Sequence, residues 1–239
     1  MIDENYKAFL EERLPLLALK KLKWWQKSRD SKHDTLRYCL KNVPIDSNGI
    51  IAEFGVFKGT TLRMIANHYK NMMVFGFDSF EGFPDDGRQD WNQDFSLSGH
   101  LPKVPENVTL IKGFFEQTLL KFVEDNKGRY FSMIHIDCDI YSSTKTIFTL
   151  CKEMIKPNCL IVFDELLHYN PFLNNEMLAL YEFIKDSDFD FEWVAIRKKV
   201  LTIDEYLNPT PSLEFTRGIM ADYRKHGYEL EVAIRIIAP

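Results

Sequence analysis

The strongest constraint on this chain is an alternation. Short apolar runs, GIIAEF (49–54), MVFGFD (73–78), VTLI (108–111), FSMIHID (131–137) and CLIVFD (159–164), are separated by amphipathic stretches of helical period. Strands alternating with helices in this way specify a parallel sheet with crossover helices. Near-continuous apolar strands suit a sheet covered on both faces. Two later runs, FEWVAI (191–196) and LEVAIRII (230–237), fit an antiparallel pair at the sheet edge. The expectation is a Rossmann-like α/β fold with a mostly parallel seven-stranded sheet. An N-terminal helical cap over 1–45 precedes a main domain over 46–239.

The cap is read from AFLEERLPLLALKKLKWW, apolar at helical spacing, with Pro15 as the expected break and a second short helix after His33. The helix after the first strand places Leu62, Ile65, Ala66 and Tyr69 on one side. The helix after the fourth does the same with Ile147, Leu150, Cys151, Met154 and Ile155, with Ser142 or Ser143 as cap and Pro157 past its end.

A net charge of -5 disfavours a nucleic-acid binder, which needs surplus Lys and Arg against phosphate. Cys39, Cys138, Cys151 and Cys159 form no CxxC pair and read as buried free thiols of a reducing compartment. No signal-peptide pattern and no apolar run of about 18 residues is present, so no membrane span and a cytoplasmic location are expected. The stretch LKKLKWWQK (19–27) reads either as a helix packing its aromatic side on the domain or on a second subunit of a homo-oligomer, or as a membrane-surface helix.

In a sheet of this kind, ligands bind beyond the carboxyl ends of the strands. The five parallel runs end in or beside Glu53, Asp78, Gly113, Asp137 and Asp164, and four of these five are carboxylates. The first strand leads into EFGVFKGTT, spaced E-x-G-x-x-x-G, where Gly55 permits a tight turn and Gly59 a close approach at the helix start. A pyrophosphate cradle requires G-x-G-x-x-G instead. Asp78, with Ser79 beside it, stands where an acid grips ribose hydroxyls. Gly113 and Phe114 frame an adenine, or Phe114 and Phe115 simply pack in the core.

Asp137, Asp139, Asp164 and Glu165 lie at neighbouring strand ends, and such hard oxygen donors suit Mg²⁺ or another divalent cation. Asp139, ahead of Ser-Ser-Thr, is alternatively a helix cap. His135 alternates into the strand interior and reads as core, whereas His168, beyond the acid pair, is a candidate for substrate contact or catalysis. His100 falls in the polar, aperiodic segment 84–107, which reads as a mobile lid over the acceptor.

EFGVFKGTT, FGFDSFEGFPD, VTLIKGFFEQTL, HIDCDIYSST and IVFDELLHY follow one another in an order and spacing that resembles the macrocin O-methyltransferase family, from about residue 53 to 169. The resemblance implies a class I, S-adenosylmethionine-dependent, Mg²⁺-assisted O-methyltransferase acting on sugar hydroxyls. It implies cofactor contacts at Glu53, Gly55, Asp78, Gly113 and Phe114, and Lys58, Gly59, Thr60 and Ser79 in the same loops are candidate contacts beside them. It also implies a metal site of Asp137, Asp164 and Glu165, with Asp137 as the base. Members carry Asp-Asp where this chain has Asp164 and Glu165, which is a departure. The competing readings are an NAD-dependent oxidoreductase and a non-catalytic cofactor-binding protein.

Overall fold

The computed structural model describes residues 2–22, 33–84, 95–169, 172–197, 200–208 and 230–239. Its centre is a seven-stranded sheet formed by β1 (Ile50–Phe54), β2 (Val74–Asp78), β3 (Val108–Lys112), β4 (Phe131–Ile136), β5 (Leu160–Phe163), β6 (Asp190–Ile196) and β7 (Val232–Ile237). The order across the sheet is β3-β2-β1-β4-β5-β7-β6. Pairs among the first five strands are parallel, and β7 runs antiparallel to both β5 and β6. The sequence places all seven strands to within one or two residues at each end.

Period-two alternation assigns successive strand residues to opposite faces. Ile50, Ala52, Phe54, Ile134, Ile136, Ile161 and Phe163 join one core cluster. Ile51, Met133, Leu160 and Val162 join the other. The first face is covered by α1 (Glu4–Leu19), α4 (Phe115–Asp125), α5 (Tyr141–Leu150) and α6 (Glu176–Lys185). The second is covered by α2 (Asp34–Asn42) and α3 (Thr60–His68), through Leu36, Cys39, Leu62, Ile65 and Ala66. The short helix α7 (Ile203–Leu207) touches α1.

Two local expectations are corrected. Pro15 lies inside α1 and does not break it. A proline in a helix interior costs about 3 kcal/mol. Tyr6, Leu10, Leu14 and Leu17 are all buried along that helix, and burying one such side chain returns about 1.5–3 kcal/mol. The sum favours the unbroken helix, and it ties the N-terminal cap into the sheet's own core. Secondly, Ile140 and not a serine is the N-cap of α5, with no side-chain cap bond. Asp139, at φ 64, turns the chain sharply before it, so Ser142 and Ser143 fall inside the first turn.

All four cysteines are buried free thiols, and His135 is fully buried in β4, as expected. No helix among the described residues is long and apolar enough to cross a membrane. Trp24 and Trp25, the basis of the surface-helix expectation, lie outside the described residues.

Candidate active site

Register brings the site together. Phe54 stands level with Phe77 on one side and Ile136 on the other, and Ile136 is level with Phe163. The next residues therefore emerge from the sheet in one row: Gly55, Asp78, Asp137 and Asp164. Backbone bonds extend the ladder through that row, from Gly55 N to Phe77 O, Asp137 N to Phe54 O, Asp164 N to Ile136 O and Gly113 N to Asp78 O. The strand order reverses between β1 and β4, and the crevice opens at that switch point.

The crevice is a cleft of about 390 Å³, within the usual range for small-molecule sites. It is bounded by the glycine loop, the ends of β2 and β3, and the acids after β4 and β5. Gly55, Lys58, Thr60, Asp78, Ser79, Gly113, Phe114, Asp137, Asp164 and Glu165 all line it.

Gly55 sits at φ +90, and a Cβ there would run into the carbonyl group of Asp137. Only glycine lets the loop pass this close to the end of β4. The Asp78 carboxylate organises the same loop: its Oδ2 accepts the N–H groups of Val56 and Phe57, both at 2.7 Å, and its Oδ1 accepts Phe80 N–H at 2.6 Å. A carboxylate has about four acceptor positions, so one remains beyond these three bonds. Phe57, Asp139 and His33 all line the cleft with positive φ, the kind of backbone strain that concentrates at functional sites.

Three expected residues stand elsewhere. Glu53 is fully buried below the loop, where Oε1 accepts the Thr61 hydroxyl at 2.7 Å and Oε2 lies 3.6 Å from His135 Nδ1. Its carboxylate comes from inside β1, two residues short of Gly55 at the rim. Gly59 is the left-handed N-cap of α3 and supports the cleft wall without forming it. His168 is buried, and its Nε2 accepts the Leu201 N–H at 2.9 Å. The chain bends away after Glu165, so this imidazole holds the segment before α7 and does not face the cleft.

The acid rim is electrostatically demanding. Burial pushes the Asp137 carboxyl well above the ordinary carboxylate range, and the charges of Asp164, Asp139, Glu53 and Glu165 push it further. Crowded carboxylates of this kind are relieved either by protons or by a cation. The donor set of Asp137, Asp139, Asp164 and Glu165 is hard oxygen and fits a divalent cation in its chemistry. Among the described residues, His33, Asp164 and Glu231 each offer a ligand atom within 4.8 Å of the others. The expected set of Asp137, Asp164 and Glu165 enters that group only through Asp164.

His33 is the residue that sequence reasoning missed. It lines the cleft from the start of α2, with Nδ1 2.9 Å from Asp164 Oδ1. No local pattern marks it, because its partner lies 131 positions away. The segment 84–107 is also better held than expected over its second half. Leu97 and Gly99 donate to Phe80 O, Lys112 Nζ donates to Gly99 O, and Phe95 stands on the cleft in edge contact with Phe57 and Phe83. His100 is exposed, away from the cleft. The expectation of a mobile lid covers 84–107, of which 85–94 lie outside the described residues.

Residues 52–166 match the family model of a methyltransferase domain. With the seven-stranded fold, this defines the protein as a class I S-adenosylmethionine-dependent methyltransferase. Among solved structures, the chain is similar in fold to the calicheamicin methyltransferase CalS11, at 18% identity over 98% of this chain and 94% of that one, with a TM-score of 0.51. The apo form of CalS11, described as a TDP-rhamnose 3'-O-methyltransferase, aligns at 17% identity over 98% and 96% with a TM-score of 0.47. The O-methyltransferase NovP aligns at 18% identity over 80% and 96% with a TM-score of 0.49. No curated protein matches the chain in sequence.

Proposed function

We propose that this methyltransferase acts on a hydroxyl of a sugar or glycosylated small molecule, with a divalent cation at the Asp137–Asp164 rim, as a member of the macrocin O-methyltransferase family. The five motif blocks, in order, support the family reading. The likeness in fold to a calicheamicin methyltransferase is in keeping with a small-molecule acceptor. The observation that carries the proposal is Asp137: a carboxyl at the switch point, open to the cleft and crowded by other acids.

Gly55, Lys58, Thr60, Ser79, Gly113 and Phe114 line the part of the cleft that would hold the cofactor, and Asp78 keeps one acceptor position for a ribose hydroxyl. Bound there, adenosylmethionine supplies an electrophilic methyl group, and a divalent cation supplies charge that eases ionisation of a hydroxyl. Asp137 takes the proton from the acceptor oxygen, which a free sugar hydroxyl gives up too weakly at neutral pH to attack well. Asp139, Asp164 and Glu165 hold the charge beside it. Phe57, Phe83 and Phe95 shield the opposite wall from water.

The test is methyl transfer from labelled adenosylmethionine to a panel of glycosylated acceptors, in Mg²⁺ or in EDTA. Asp137→Asn should keep near-normal adenosylhomocysteine binding and lose at least about 10²-fold in rate. EDTA should cause a similar loss in the parent and little more in the variant. Full activity of Asp137→Asn in EDTA would exclude both carboxylate and cation from the reaction.

A further inference from the structure

Asp164 and the two residues grouped with it come from three distant parts of the chain. His33 precedes α2, Asp164 follows β5, and Glu231 precedes β7. Their side chains are 7%, 12% and 5% exposed. His33 Nδ1 stands 2.9 Å from Asp164 Oδ1 and 3.9 Å from Glu231 Oε1. The Thr35 N–H holds Glu231 Oε2 at 2.6 Å, which leaves Oε1 as the oxygen on the His33 side.

We propose that His33 is a cation ligand, and that with Asp164 and Glu231 it makes a mixed imidazole–carboxylate site that prefers a borderline first-row cation such as Co²⁺, Fe²⁺, Ni²⁺ or Zn²⁺ over Mg²⁺. This rests on the cation-assisted reading above and refines which ion serves it.

The spacing is that of donors around one ion. Donors about 2.1 Å from a six-coordinate centre lie about 3.0 Å apart when adjacent and about 4.2 Å when opposite. The two distances to His33 Nδ1 fall at and between these values. The donor chemistry then selects the ion. An all-oxygen site suits Mg²⁺, whereas a neutral imidazole among carboxylates favours the later first-row metals, whose affinity for such donors rises along the series. Two carboxylates this well buried and this close are relieved by a proton or by a cation, and a cation held between them would serve both. The arrangement is non-local: the sheet places β5 beside β7, and α2 packs on β7, which delivers His33 to the Asp164 side of the cleft. An exposed run of acids on one loop would carry none of this selectivity.

The experiment uses the full chain stripped of metal. Co²⁺ and Mg²⁺ binding are measured by calorimetry, and the Mn²⁺ form is examined by electron spin-echo spectroscopy for a directly coordinated imidazole nitrogen. Co²⁺ should bind at least about tenfold more tightly than Mg²⁺. The Mn²⁺ form should show ¹⁴N modulation that converts to the ¹⁵N pattern when histidine is ¹⁵N-labelled. His33→Asn suits the left-handed backbone at this position (φ 62). It should abolish the nitrogen signal and weaken Co²⁺ binding by at least about tenfold, since even outer partners of metal ligands contribute that much. The isotope experiment needs only the parent protein, so it decides the matter even if the variant folds poorly. Mn²⁺ bound without nitrogen modulation, or Co²⁺ binding unchanged in His33→Asn, would overturn the proposal and leave cation-assisted transfer standing. A protein that binds no divalent ion and turns over equally in EDTA would sink that broader reading as well.

Discussion

The carboxylate of Asp78 accepts the backbone N–H of Phe57 at 2.7 Å, across a separation of 21 residues. Val56 N–H meets the same oxygen at the same distance, so the end of β2 carries the glycine loop that follows β1. An acid expected to serve the cofactor's ribose is therefore first a clamp on the loop that shapes the cofactor cleft. Its remaining acceptor position is aimed by the bonds that fix the other three.

Asp78→Asn should thus be costly even without ligand. The amide replaces one acceptor oxygen with a donor, so either Phe80 N–H or the Val56 and Phe57 pair faces another N–H. Leaving such groups unsatisfied costs about 1–3 kcal/mol. Urea unfolding should show that loss, and adenosylhomocysteine should bind more weakly in the variant. Parent-like values for both quantities would mean that the loop holds its shape without the clamp.

Asp137 gives a pH dependence with a definite sign. Its folded-state carboxyl is raised above the ordinary value, with burial the largest cause. A raised group contributes stability below its unfolded pKa and loses it as pH rises through the folded value. The metal-free protein should therefore lose stability as pH climbs from the acidic range toward neutral. Asp137→Asn should remove part of that loss and raise Tm by about 2–4 °C near pH 7, the shift that about 1 kcal/mol produces in a chain of this size. The gain should vanish below about pH 4, where both forms are neutral. Thermal melts in EDTA across that range check this, and a variant less stable at pH 7 would refute it.

His168 should behave as a structural residue. Its Nε2 accepts the Leu201 N–H in a buried setting, and it stands off the cleft. His168→Asn tolerates the positive φ of 59 but shortens the acceptor. A stability loss of about 1–3 kcal/mol is expected from the orphaned N–H, with adenosylhomocysteine affinity within about twofold of the parent, since a residue outside the cleft has little differential contact with the ligand. A selective fall in kcat in a fully folded variant would return His168 to the catalytic group.

The sequence alone determined the seven strands, their apolar coverage on both faces and the row of acids at their ends. These are local properties: a period of two or 3.6, a glycine where φ is positive, and a charge where an apolar run stops. Asp137 and Asp164 were legible because each is the residue after its strand, and parallel register brings strand ends level. Tertiary structure alone decided the rest. Pro15 stays within α1 because four buried side chains outweigh one lost backbone bond. Glu53 turns inward to Thr61 because it lies within β1, two residues short of the rim. His168 faces Leu201 because the chain bends after Glu165. His33 reaches Asp164 only because α2 packs on β7, a contact between segments whose sequences say nothing of each other. Strand ends are set by patterns within a few residues, whereas a side chain's partner across the fold is set by packing that no such window contains.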